Sequence, residues 1–425
     1  MWKTLHQKVQ IARSTPPEIL ASTFTNMVKL RISRYVVKIY PVKLSDKDFL
    51  KVVGCKTMNG FIDREPPLFF FNPRDKDKII DTIKEEYPEA IKEIIKDADE
   101  ICEHVFDLLG SGKTKLGKEI DWQNDFKTNI RWDEKECYIR NPKLENLNDR
   151  SDGKVPLELS RFQHFVTLGK AYRYTKNEKY ANEFIEQIKD WMGKNPVKLG
   201  INWSITMDVA IRTVNWIWGY YFFCDSPSLL KEFKLKFFKS LFLHGRHILN
   251  NLEFGLVRGN HYLSDIAGLT YLGIFFQDTQ EGQKWLGKGL NALKEEMEVQ
   301  VYPDGVNCEG SISYHRLVTE LFLSSTFLCI KNGITFPEWY MNRLEKMIEF
   351  VMCYTKPDGT APQIGDNDDG RLHILSNYGN WNRLDHRYLL SVGAVVFKRA
   401  DFKDAADEFP EEAFWLVGVE GLNMF

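Results

Sequence analysis

The chain has 425 residues, and its 57 Lys plus Arg against 59 Asp plus Glu give a formal net charge of −2. Hydrophobic residues make up 43% and charged residues 27%, a globular mixture that excludes wholesale disorder, a collagen-like repeat and a disulfide-framework mini-protein. Near-balanced charge argues against a dedicated nucleic-acid binder, and no run of ~18–20 apolar residues is present to span a membrane.

The first twenty residues carry charge and no apolar h-region, so no secretory signal is expected, and the cytoplasm is favoured over the periplasm. Met27–Tyr40 mixes cations with apolar residues and reads as a packed strand or helix rather than a membrane-surface segment. Residues 1–75, punctuated by Pro16-Pro17, Pro66-Pro67 and Pro73, are expected to form an irregular extension to a domain over 76–425. Ile79, Ile80, Ile83, Ile91, Ile94, Ile95, Ala98 and Ile101 follow a helical period, with Pro88 separating two helices. Residues 111–150 read as loop.

From Pro156 the spacing predicts successive helices at about 156–175, 178–193, 204–223, 228–252, 261–275, 281–300, 311–331 and 337–355. Strand-like alternation is scarce, so the fold class is all-α. Strongly apolar segments (203–223, 261–275, 318–331) alternate with amphipathic ones. That implies an inner and an outer layer of sequential hairpins, as in an incomplete α/α toroid, with an ordinary α-solenoid as the competitor. The seven cysteines have no C-x-x-C spacing and are expected to be reduced, mostly buried thiols.

Polar clusters gather at the predicted helix starts. Glu158, Arg161 and His164 would share one helix face. Asp208 and Arg212 would pair at i,i+4, beside Asn202-Trp203 and Asn215-Trp216. Asn260 is a natural N-cap in Arg258-Gly259-Asn260-His261. The loop from Asp304 to Ser313 feeds Tyr314, His315 and Arg316, which leave a helix in three directions. Gln363–Arg371 is rich in Asp but lacks EF-hand spacing and reads as a turn. There is no G-x-S-x-G, Walker A, H-E-x-x-H or G-x-G-x-x-G motif, and no cofactor or metal is expected.

Five ordered groups resemble the heparinase II/III family: Lys154…Glu158-x-x-Arg161; Asn202-Trp203…Arg212…Asn215-Trp216; Gly259-Asn260-His261; Asp304-Gly305…Glu309-Gly310-Ser…Tyr314-His315; and Ile364-Gly365-Asp366…Arg371. That family comprises polysaccharide lyases with an α/α toroid followed by a β-sandwich. The resemblance implies β-elimination on a uronic-acid residue of an acidic polysaccharide. It implies that Asn260 and His261 neutralise the C5 carboxylate and that Tyr314 removes the proton. Arg161, Arg212, Arg258, His315, Arg316, Arg371 and Glu158 are then candidates to hold the substrate, and Trp203 a candidate platform. The sequence stops at Phe425, where the toroid would end. The expectations are therefore three: a lyase toroid served by a separate β-sandwich partner, a truncated or non-catalytic carbohydrate-binding toroid, or a toroidal glycoside hydrolase using Glu309 and Asp366.

Overall fold

The computed structural model describes position 36 and residues 42–73, 76–139, 144–146, 148–255, 258–367, 370–379 and 381–425. Met27–Tyr40, except position 36, lies outside the described residues. Sixteen helices are described in the order α1 Asp46–Val53, α2 Met58–Ile62, α3 Lys76–Glu86, α4 Pro88–Cys102, α5 Lys154–Leu159, α6 Phe165–Thr175, α7 Glu178–Lys194, α8 Thr206–Phe223, α9 Lys231–Asn250, α10 Asn260–Phe275, α11 Gln280–Gln300, α12 Ile312–Lys331, α13 Glu338–Tyr354, α14 Tyr388–Phe397, α15 Ala400–Ala406 and α16 Glu411–Met424. Between α4 and α5 the described strands form three two-stranded antiparallel ribbons, each strand two residues long.

The expected two layers are present. All 18 residues of α8 are buried, and α10 and α12 are buried nearly throughout. By contrast α7, α9, α11 and α13 bury one face each. A helix apolar on every side must be surrounded, and an amphipathic one can face water. The chain therefore alternates between an inner ring (α6, α8, α10, α12) and an outer ring.

The inner helices run parallel. Arg161 reaches Asp208 at the start of α8, and Arg173 donates to the Tyr221 carbonyl near both C-termini. Between α10 and α12, the helix starts meet through Asn260 and Glu309, and Tyr271 bonds Ser324 about three turns further in. All their N-termini thus lie at one end of the toroid.

The other end is packed with aromatic rings, beside a cavity of about 420 Å³ lined by Pro66, Pro67, Phe69, Tyr220 and Tyr221. Phe69 stacks on Tyr221 at 4.0 Å, Phe70 on Trp218 at 5.0 Å, and Phe71 meets Trp415 edge-on at 5.3 Å. The Tyr221 hydroxyl donates to the Pro67 carbonyl at 2.7 Å and fixes the strap.

Three expectations need correcting. The N-terminal region is not irregular throughout. Ser45 caps α1, and Phe49 and Phe61 pack on Phe242 and Phe238 of α9. The segment 156–175 is not one helix. The chain turns between α5 and α6 at Phe162, which adopts φ 55, so Glu158, Arg161 and His164 do not share a helix face. The cysteines form no disulfide, but only Cys137 and Cys329 are buried.

Candidate active site

Asn260 is not the N-cap of α10. Gly259 holds that position and has no side chain to offer. The exposed donors of the first turn are met from a neighbouring loop instead. Glu309 accepts from the Asn260 backbone N–H at 2.8 Å and from its side-chain Nδ2 at 2.7 Å. A carboxylate placed there also opposes the positive end of the helix. A Cβ on residue 259 would sit 3.1 Å from the Glu309 carboxyl carbon, tighter than most real contacts, so glycine gives the carboxylate room.

Two residues beyond Glu309, Ser311 caps α12 by accepting from the Tyr314 N–H at 3.2 Å. The same hydroxyl donates to the Asp366 carbonyl at 2.5 Å, and Ile312 N–H donates to the Ile364 carbonyl. Gly365 makes this docking feasible: it has φ 76, and a Cβ there would lie 2.8 Å from the Gly310 carbonyl oxygen. Tyr314 is half-buried in the first turn of α12. Asn260, His261 and Tyr314 therefore occupy first turns of adjacent parallel helices joined by one short loop.

His261 is exposed, and its Nδ1 lies 3.3 Å from Glu253. Desolvation in the cleft pulls its pKa down. The bond and charge of Glu253, with Asp208 behind it, outweigh that pull and leave it above the ordinary histidine value, with Arg161 acting the other way. Glu253 is oriented by the Met207 N–H at 2.9 Å, and its own N–H donates to Asp265 at 2.7 Å. Arg161 bridges Asp208 and Glu158, each at 2.6 Å. Asp208 thus pairs with Arg161 and not with Arg212.

A cavity of about 210 Å³ opens beside Glu158, lined also by Asp107, Gln163, Trp381 and Arg383. Trp381 is half-buried, with the Arg316 and Arg371 guanidinium carbons each 5.2 Å from its ring centroid. Glu253 and Trp381 carried no sequence signal. The first stands in a loop without a motif, and the second is one Trp among eleven.

Five expected substrate contacts are buried and already engaged. Trp203 is 1% exposed and packs against Trp191, His244 and His247, so it offers no face to a sugar. Arg212 is fully buried, lies 4.2 Å from the Trp191 ring centroid, and donates to His244 Nε2 and the Asn202 carbonyl. Burial lowers its pKa to about 9, with Asp208 opposing the shift. His315 donates from Nε2 to the Met347 carbonyl and accepts the Asn307 N–H at Nδ1. Burial takes its pKa down to about 4. Arg316 holds the Arg383 carbonyl and His386. Arg371 pairs with Glu320 and Glu412. These side chains are engaged within the fold and brace the site from behind, although Arg212 Nη1 and Arg316 Nε are buried without a hydrogen-bond partner among the described residues. Arg258 pairs with Glu295 and with the buried Glu296 of α11. Both Glu309 oxygens are occupied by Asn260, so Glu309 is not a free acid for the hydrolase reading. The Asp-rich loop lies partly outside the described residues.

This end of the toroid holds charged and polar groups in which each cation already faces a carboxylate. It gathers helix N-termini, an amide, a histidine of raised pKa and the Arg161 guanidinium. The Heparinase II/III N-terminus family model matches residues 74–385. A heparin-sulfate lyase of Bacteroides stercoris is 31% identical over 257 residues, 55% of this chain and 38% of that protein. A solved heparinase III is 26% identical with TM-score 0.51, covering 75% of this chain and 47% of that one. An alginate lyase of Bacteroides ovatus, at 14% identity and TM-score 0.52, covers 84% of this chain and 100% of that one, a likeness of fold alone. The chain spans less than half the length of the first two relatives. The family match over most of the chain, on an all-α toroid whose motif residues meet at one end, identifies it as a member of the heparinase II/III family.

Proposed function

We propose that the chain is a polysaccharide lyase that cleaves a uronic-acid-containing polymer by β-elimination at the open end of the toroid. The observation that carries this reading is the shared position of Asn260, His261 and Tyr314 in the first turns of α10 and α12, with Asn260 bonded to Glu309 and the Tyr314 N–H to Ser311 of the same loop. The relatives' names point to heparan-type polymers as the first substrates to try.

In this reading Asn260 and His261 hold the uronate carboxylate, which lowers the cost of the negative charge that builds at C5. Tyr314, as phenolate, takes the C5 proton. The C5–H electron pair becomes the C4–C5 double bond, and the C4–O4 pair leaves with the oxygen. Tyr314 then returns the proton to O4, so the step is balanced without a cofactor. An unperturbed tyrosine has a pKa of ~10, so the step gains from nearby positive charge, and the raised pKa of His261 favours its cation.

The test is ultraviolet absorbance of an unsaturated uronate during incubation with heparan-type, alginate-type and other uronate polymers, using Tyr314→Phe as control. Absorbance that grows with the wild type and not with the variant is expected. Chain shortening without a double bond would replace this reading with hydrolysis.

A further inference from the structure

We propose that Glu309 is a positioning residue: its carboxylate holds the Asn260 amide in one orientation, so that the groups left for the substrate are fixed before it arrives. What Asn260 does for the substrate rests on the lyase reading above. How Asn260 is held rests on geometry alone.

A carboxylate only accepts, so the atom 2.7 Å from Glu309 must be the donor Nδ2 and not the amide oxygen. Glu309 grips the backbone N–H of the same residue as well. An amide flip would put its oxygen against the carboxylate, which the like partial charges oppose. Fixed in this way, the second N–H and the oxygen of Asn260 each keep a single direction.

Glu309 is itself anchored through Asn307. Its N–H donates to Asn307 Oδ1 at 3.1 Å, and Asn307 Nδ2 donates to the Gln300 carbonyl at 3.2 Å. Gln300 in turn donates to the Gly259 carbonyl at 3.2 Å, closing a ring around the start of α10. The Asn307 N–H rests on His315 Nδ1 at 3.3 Å, and His315 is held by Met347 of α13. His315 therefore acts at the base of this brace and does not contact substrate.

The carboxylate has an electrostatic cost for an anionic ligand. It opposes the positive end of α10 where the uronate would sit. Glu309→Gln is therefore expected to keep or tighten ground-state binding while slowing turnover. A purely structural role would not give that split.

In the full chain, Glu309→Gln should lower kcat roughly 10²-fold with KM unchanged or reduced. In an Asn260→Ala background the same change should add less than about threefold, because both act through one amide. With selectively ¹⁵N-labelled asparagine, the wild-type Asn260 side-chain pair should be shifted and protected from exchange. Those features should collapse in Glu309→Gln. Should that variant fail to fold, Gly259→Ala, which presses on the carboxylate without removing its charge, should lower kcat more weakly with KM unchanged. Undiminished kcat, an additive loss in the double variant, or unmoved Asn260 amide signals would each overturn the proposal. If the wild type makes no unsaturated product from any polymer, the lyase reading falls, and the amide spectrum still decides whether Glu309 orients Asn260.

Discussion

The two ends of the inner ring are built from the same parallel helices and treated in opposite ways. At the C-terminal end, Phe69, Phe70 and Phe71 pack on Tyr221, Trp218 and Trp415, with a cavity of about 420 Å³ left between the strap and Tyr220, Tyr221 and Lys234. At the N-terminal end the helices begin with Asn260, His261 and Tyr314, and polar loops carry Glu253 and Glu309 to them. Packing one end with apolar area supplies stability. It leaves the other free to keep polar groups that a stability-driven end would bury. The proposed function uses the N-terminal end, where helix N-termini gather polar groups from neighbouring loops.

The strongest way to sharpen this contrast is to change one residue at each end. Tyr314→Phe should lower kcat by about 10³-fold, within the range for loss of a general base, with the melting temperature unchanged. Phe70→Ala should do the reverse. Phe70 is 2% exposed, and its truncation should cost about 3–5 kcal/mol of stability. Activity per folded molecule should be retained, as denaturant titration alongside the absorbance assay would show. Lost activity in folded Phe70→Ala would mean that the two ends are coupled.

Acid offers a second separation. Burial holds His164, His315 and His373 near a pKa of about 4, below the ordinary value of 6.5. The unfolded chain therefore takes up protons first as pH falls. Stability should be fully present above about pH 6.5 and decline towards pH 4. His261 behaves oppositely. Its raised pKa keeps the cation to higher pH. If that cation holds the uronate, binding should weaken as pH rises through the raised pKa. His261→Ala should flatten this limb and raise KM several-fold, the smallest of these effects, measured from pH profiles of KM.

Much of the fold is legible in the sequence because the inner and outer helices differ in periodicity. The helices from α7 to α13 fall within a few residues of their predicted bounds. The break at Phe162 is not legible, since a left-handed φ at a bulky residue is imposed by tertiary packing. The helices α14 to α16 lie beyond the region where the period could be followed. The site is half legible. Asn260, His261 and Tyr314 stand at helix starts, where polar residues interrupt otherwise apolar segments. Arg212, Arg316, Arg371 and Trp203 look equally functional in one dimension, yet rings, carbonyls and carboxylates absorb them inside. Composition cannot separate an arginine buried among rings and carboxylates from one facing a ligand. Glu253 is invisible because its partner His261 comes from the next element.

The most direct test of the account is backbone hydrogen exchange of the Tyr314→Phe chain with and without a heparan-type oligosaccharide. The account predicts that exchange slows at residues 258–262 and 309–316 and is unchanged at 66–73. Protection confined to the strap and the C-terminal ends of the inner helices would contradict it.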